Sequence, residues 1–106
     1  MKYRIQRATG AAAIAMTVAP AVAFQIEEVR VHLSAGGAAT NLTITIDSAA
    51  GAAYDTVLLT QAMNAVTDLA WQPTRPFILS PGDEIDIAYA NGGAATYGVE
   101  VIYSAI

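Results

Sequence analysis

From Phe24 onward, apolar and polar residues alternate with a period of two. Val29, Val31 and Leu33 alternate with Glu28, Arg30 and His32, and Leu42, Ile44 and Ile46 with Thr43, Thr45 and Asp47. Ile85, Ile87 and Tyr89 alternate with Glu84, Asp86 and Ala88, and Val99, Val101 and Tyr103 with Glu100, Ile102 and Ser104. In an extended chain successive side chains point to opposite faces, so each run predicts a strand with one face inward. Further extended runs are Tyr54–Met63, which carries Val57, Leu58 and Leu59, the short Asp68–Trp71, and Phe77–Leu79. With the Tyr3–Arg7 stretch, where Tyr3 and Ile5 interrupt Lys2, Arg4 and Gln6, the prediction is about eight strands.

Turn signals separate the runs: Gly36-Gly37, Ala49-Ala50-Gly51, Pro73, Pro76, Pro81-Gly82 and Asn91-Gly92-Gly93. No window carries a helical period, and Gln61–Val66 offers one turn at most. Short strands at even spacing predict an antiparallel β-sandwich or barrel. The pentapeptide Gly36-Gly37-Ala38-Ala39-Thr40 recurs as Gly92-Gly93-Ala94-Ala95-Thr96. The strands that follow the two copies are out of register, Leu42 aligning with Gly98. The repeat therefore reads as shared loop chemistry, not as a duplicated half-domain.

Residues 1–23 read as a strand followed by an extended, Ala-rich arm, and residues 24–106 as the sandwich, one domain in all. Lys2, Arg4 and Arg7 followed by Ala11–Ala19 and Ala21-Val22-Ala23 give the outline of a secretory signal. The strand-like alternation of Tyr3 and Ile5, the use of alanine where such signals use leucine, and Pro20 weigh against it. The apolar run is also shorter than the roughly 20 residues that span a bilayer. The arm is expected to pack on its own domain or on a neighbour.

Composition narrows the chemistry. The 106-residue chain has no cysteine, which excludes disulfides, thiolate metal sites and a cysteine nucleophile. It has one histidine, which excludes a His-rich zinc site. Charged residues are 13%, against roughly 25% in an ordinary soluble domain, and 23 residues are alanine. Five Lys+Arg against nine Asp+Glu leave a net charge of −4, which argues against nucleic-acid binding, since phosphate neutralisation needs a concentrated basic face.

Four features could carry chemistry. Asp83, Glu84 and Asp86 form the densest acidic group, suited in principle to acid–base work or, at Asp83 with loop carbonyls, to calcium. Glu84 and Asp86 share a strand face after a Pro-Gly turn, which is what an outward-facing strand start needs. His32 falls on the side of Glu28 and Arg30, facing solvent or an interface, with no patterned partner. Trp71 could stack on a sugar with Tyr89 and Tyr97, but reads better as a core aromatic closing one end of the sandwich. Asn41-Leu42-Thr43 matches a glycosylation sequon at the start of a strand. Ser34, Ser48, Ser80 and Ser104 read as strand-end or turn hydroxyls. Nucleophile elbow, phosphate loop and dinucleotide turn are all missing. The expectation is no enzyme activity, no catalytic, cofactor or metal residues, and no cofactor.

Four stretches carry a family resemblance: Tyr54-Asp55-Thr56-Val57-Leu58-Leu59, Val66–Pro73, Leu79–Asp86 and Tyr97–Tyr103. Together they make residues 24–106 resemble small structural proteins of tailed-bacteriophage virions. That resemblance implies a jelly-roll sandwich that decorates or cements the capsid, or that sits at the neck, tail or fibres. It also implies a virion location after assembly in the host cytoplasm, partners among the major capsid protein and other virion proteins, and a homo-oligomer, a trimer for preference. Neither nucleic acid nor membrane is an expected partner. A secreted carbohydrate-binding sandwich with Trp71 as platform is the alternative from a different class.

Overall fold

A computed structural model describes residues 2–106. The alternation seen in the sequence becomes eight strands. They are β1 (Lys2–Gly10), β2 (Ile14–Val18), β3 (Phe24–Leu33), β4 (Asn41–Asp47), β5 (Thr56–Ala62), β6 (Asp68–Trp71), β7 (Glu84–Tyr89) and β8 (Tyr97–Ala105), with one 3-10 turn at Ala52–Tyr54. Every strand pairing is antiparallel. Four strands form sheet A, in the order β1-β8-β3-β6, and four form sheet B, in the order β2-β7-β4-β5.

The pairings are nested. β1 lies against β8, β2 against β7, β3 against β6 and β4 against β5, as if one long hairpin were folded at the β4–β5 turn. Rolling that hairpin adds the β3–β8 and β4–β7 pairs and splits it into two sheets. This is the jelly-roll form of the β-sandwich. Every connection except β4–β5 crosses from one sheet to the other.

Alternate side chains of β2, β3, β4, β7 and β8 fill the space between the sheets. Ile14, Met16 and Val18 of β2 meet Ile85 and Ile87 of β7 and Leu42 and Ile44 of β4; opposite them lie Phe24, Ile26, Val29, Val31 and Leu33 of β3 and Val99 and Val101 of β8. All are buried. Phe24 meets Tyr103 edge to face, with ring centroids 5.9 Å apart. Two register shifts adjust the alternation. β3 carries an extra residue between Ile26 and Glu28, so Ile26 and Val29 both face inward. β5 slips opposite Ile44 and Thr45, which accommodates the unbroken Val57-Leu58-Leu59 run; Val57 ends up exposed.

Two expectations are corrected. The Ala-rich segment packs on its own domain, one of the two places expected for it, but as a sheet element and not as an arm: its Ile14–Val18 stretch is an edge strand of sheet B, and Ile14, Met16 and Val18 belong to the core. Three inward side chains at spacing two, hidden among alanines, provided the burial that makes it a strand. Conversely, Phe77–Leu79 is not a strand. Only Leu79 pairs, through a single bridge to Phe24, and Pro76 removes a ladder donor just before it.

The loops are held by polar groups. The two Gly-Gly-Ala-Ala-Thr copies lie side by side at one end of the sandwich: Ser34 N–H donates to the Thr96 carbonyl, and Thr96 N–H donates to Ser34 Oγ, each at 2.9 Å. Beside them Asn91 is buried with φ of 53°. Its Nδ2 donates to the carbonyls of Ala12 (2.9 Å) and Ala95 (2.8 Å), while its Oδ1 accepts from Ala95 N–H. One side chain thus ties the β1–β2 connection to the β7–β8 connection.

Candidate functional site

The outward face of sheet A is a groove of about 830 Å³. Strand register builds it row by row. Thr9, Gly98, His32 and Asp68 lie in one row across β1, β8, β3 and β6; Arg7, Glu100, Arg30 and Ala70 form the next. The rims are made of hydrogen-bonded donor–carboxylate pairs, between strands or along one strand. Arg7 Nε donates to Glu100 Oε2 at 2.7 Å, His32 Nδ1 lies 2.6 Å from Asp68 Oδ1, and Arg30 Nε donates to Glu28. Between the rims Gly98 and Ala70 leave the floor bare.

Hydrogen bonds tune the carboxylates. The Asp68 carboxyl is held below the usual carboxylate range, first by its hydrogen bond with His32 and then by the Thr67 hydroxyl. The Glu28 carboxyl is lowered as well, chiefly because Gln72 Nε2 donates to it, with Arg30 second. In both cases donors stabilise the charged form, while the groups remain in solvent.

The outward face of sheet B is different in kind. Its rows read Ala15, Ala88, Thr43, Thr60 and then Thr17, Asp86, Thr45, Val57. Asp47, Glu84 and Asp86 bring carboxylate oxygens within 4.8 Å of one another at one end of this face. Thr17 Oγ1 donates to Asp86 at 2.7 Å, and among the described residues no cation pairs with any of the three.

The residues singled out in the sequence are dispersed. Glu84 and Asp86 do share the outward face, with Asp47 joining them from β4; Asp83 does not belong to the group. Asp83 closes a turn: Pro81 and Gly82 occupy its centre, Gly82 takes φ of 92°, and Asp83 N–H donates to the Ser80 carbonyl. Its Oδ2 accepts from Ser80 N–H and its Oδ1 from Ala49 N–H, so both oxygens serve to pin this turn to the β4–β5 loop. His32 faces outward beside Arg30, and its partner is Asp68. Trp71, Tyr89 and Tyr97 all pack on the core, and Tyr89 Oη accepts from Ala38 N–H, so they form no exposed platform. Asn41 is exposed at the head of β4.

Ser34 and Ser48 take the turn roles expected of them. Ser104 lies at the end of β8, as expected of a strand-end hydroxyl; it is fully buried and donates to Glu27 at the β3 bulge. Sequence reasoning missed Arg7, Gly98 and Glu100 as neighbours of His32. The one signal was Gly98 itself, a glycine inside an alternating run.

No protein-family model matches the chain, and no curated protein matches it significantly.

Proposed function

We propose that this chain is a structural protein of a tailed-phage virion, specifically a capsid decoration (cement) protein. It stabilises the shell through protein–protein contacts with the major capsid protein and acts as a homo-oligomer, preferably a trimer. No catalytic step is assigned to it. The observation that carries this reading is the outer face of sheet B. Ala15, Thr17, Thr43, Thr45, Thr60 and Ala88 make a surface of short side chains, with exposed Val57 on the edge strand beside them. Short side chains lose little rotamer freedom when covered, so such a surface is cheap to bury. An exposed edge strand of this kind is an aggregation hazard on a free monomer unless a partner covers it. Jelly-roll sandwiches are in use as capsid domains, which agrees with the architecture. A contact of about 800 Å² per partner is ordinary for a stable interface, and cyclic symmetry multiplies it around each local axis.

The test is addition of the purified chain to undecorated shells. Co-sedimentation and imaging are expected to show it at symmetry-related positions in high copy number, with shells more resistant to heat. Thr43→Lys with Thr60→Lys, on the solvent side of β4 and β5, is expected to abolish binding without unfolding the sandwich. Absence of binding to shells, with only a few copies per particle, would place the chain at the neck, tail or fibres and end the decoration reading. A carbohydrate-binding sandwich built on Trp71 is disfavoured because Trp71 packs inward.

A further inference from the structure

We propose that the groove on the outer face of sheet A is a second binding site, one that takes an uncharged oligosaccharide with a sugar ring over Gly98. It lies on the opposite face from the proposed shell contact, so either reading can fail while the other stands.

The argument begins with Gly98. It sits in β8, an inner strand, between Thr9 of β1 and His32 of β3. A glycine in a strand interior gives up cross-strand packing and loosens the backbone; such positions recur where a ligand or another chain comes close. This chain supplies no internal reason for it. Gly98 is not in the left-handed region, and a Cβ built on it would meet nothing within 4 Å. Gly37 shows the contrast, since a Cβ there would stand 2.3 Å from the Met63 carbonyl oxygen. Gly37 is required by the fold, whereas Gly98 keeps open a space that the fold leaves unfilled. That space, about 830 Å³, falls within the roughly 300–1,000 Å³ of small-molecule sites.

The lining selects the ligand. Arg7 is neutralised by Glu100 and Arg30 by Glu28 beside the groove, and Asp68 is held by His32, so no free cation is left to attract an anionic ligand. Its polar groups come as donor and acceptor side by side, each already held by its partner: Arg7 with Glu100, His32 with Asp68. Neighbouring hydroxyls suit such pairs, one donating to the carboxylate and the next accepting from the N–H beside it. The floor belongs to β8 and β3, inner strands paired on both sides. Around Gly98 the backbone groups are already in the ladder, so no peptide strand can be added there and the floor offers C–H surface; Ala70 lies beyond Arg30, on the edge strand β6. The open C–H patch at Gly98, flanked by the Arg7–Glu100 and His32–Asp68 pairs, matches a pyranose ring, apolar on its face and hydroxylated at its edge.

The full chain is screened against an array of neutral and acidic oligosaccharides, and the binders are titrated by ¹⁵N NMR. At least one neutral oligosaccharide is expected to bind, with shifts centred on Gly98, Ala70 and His32. Gly98→Val is expected to weaken that binding at least tenfold with a melting temperature no lower than the parent's, since the added side chain has room. Arg75→Ala, in the β6–β7 loop away from the groove, is expected to leave binding intact. The proposal is overturned if no neutral glycan binds, if the shifts map elsewhere, if only acidic ligands or peptides enter the groove, or if the Gly98→Val chain binds as well as the parent.

Discussion

The strands of sheet A carry four cations (Lys2, Arg4, Arg7, Arg30) and four carboxylates (Glu27, Glu28, Asp68, Glu100), with Arg7 paired to Glu100 and Arg30 to Glu28. In those of sheet B, three carboxylates (Asp47, Glu84, Asp86) face no cation at all. Sheet A is a groove edged by ion pairs. Sheet B is a plain of alanine and threonine with an unneutralised corner. The two sheets share one core, built from the alternate aliphatic and aromatic positions of β3 and β8 on one side and β2, β4 and β7 on the other; β1 adds only Ala8 to it and turns Tyr3 and Ile5 outward. Inner positions therefore carry the architecture, and the outer positions of each sheet are free to be specialised separately.

The strongest way to break this comparison is to attack what the sheets share. Phe24→Ala in sheet A is expected to cost about 3–5 kcal/mol and Ile44→Ala in sheet B about 2–5 kcal/mol, both sites being fully buried. Each variant should unfold in a single denaturant transition. Two separate transitions would mean that the sheets are independent units. Next comes the tie between connections: Asn91→Ala is expected to cost about 1–3 kcal/mol, because the Ala12 and Ala95 carbonyls lose their donor. Chemical denaturation reads both.

Charge changes sharpen the contrast and should have smaller effects. Thr45→Lys sets a cation beside Asp86 in the adjacent strand, and should raise stability by a few tenths of a kcal/mol. The gain should fade in high salt. Arg7→Ala removes an exposed pair from the balanced face and should lower stability by less than about 1 kcal/mol. If the two changes proved equal in sign, the electrostatic distinction between the faces would be lost.

The smallest effect is a pH dependence carried by two carboxylates of sheet A. Asp68 and Glu28 both titrate below their ordinary values in the folded chain. Their stabilising contribution is therefore present above the ordinary carboxylate range and is lost as the pH falls through the folded values. Carboxyl ¹³C titration should show Asp68 returning toward its usual value in His32→Ala, with Glu28 unmoved. A normal Asp68 in the parent chain would contradict the hydrogen-bond assignment.

Much of the architecture was legible because a half-buried strand announces itself: β3, β4, β7 and β8 follow from Val29, Ile44, Ile87 and Val99 with their neighbours at spacing two. β2 was obscured because alanine is compatible with any face, so only Ile14, Met16 and Val18 carry its signal within an apolar-looking stretch. Phe77–Leu79 had strand composition but a proline beside it, and only Leu79 joins a sheet, through its bridge to Phe24. The groove was the least legible part. Arg7, Glu100, His32 and Asp68 are distant in sequence, and their meeting depends on register between strands, which alternation alone does not fix. Asp83 shows the reverse error: adjacency to Glu84 and Asp86 suggested a cluster, whereas turn geometry directed its carboxylate to backbone donors.

The nesting of the strands also has a meaning in time. β1 finds its sheet neighbour only in β8, Lys2 lying opposite Ala105. At translation rates of about 5–20 residues per second, the first strand leaves the ribosome roughly 5–20 seconds before the last. Through that interval β1 has no native mate, and sheet A cannot close. Such distant closures are slow to form, so this chain should assemble late and all at once, and a nascent copy halted short of β8 should remain a target for chaperones.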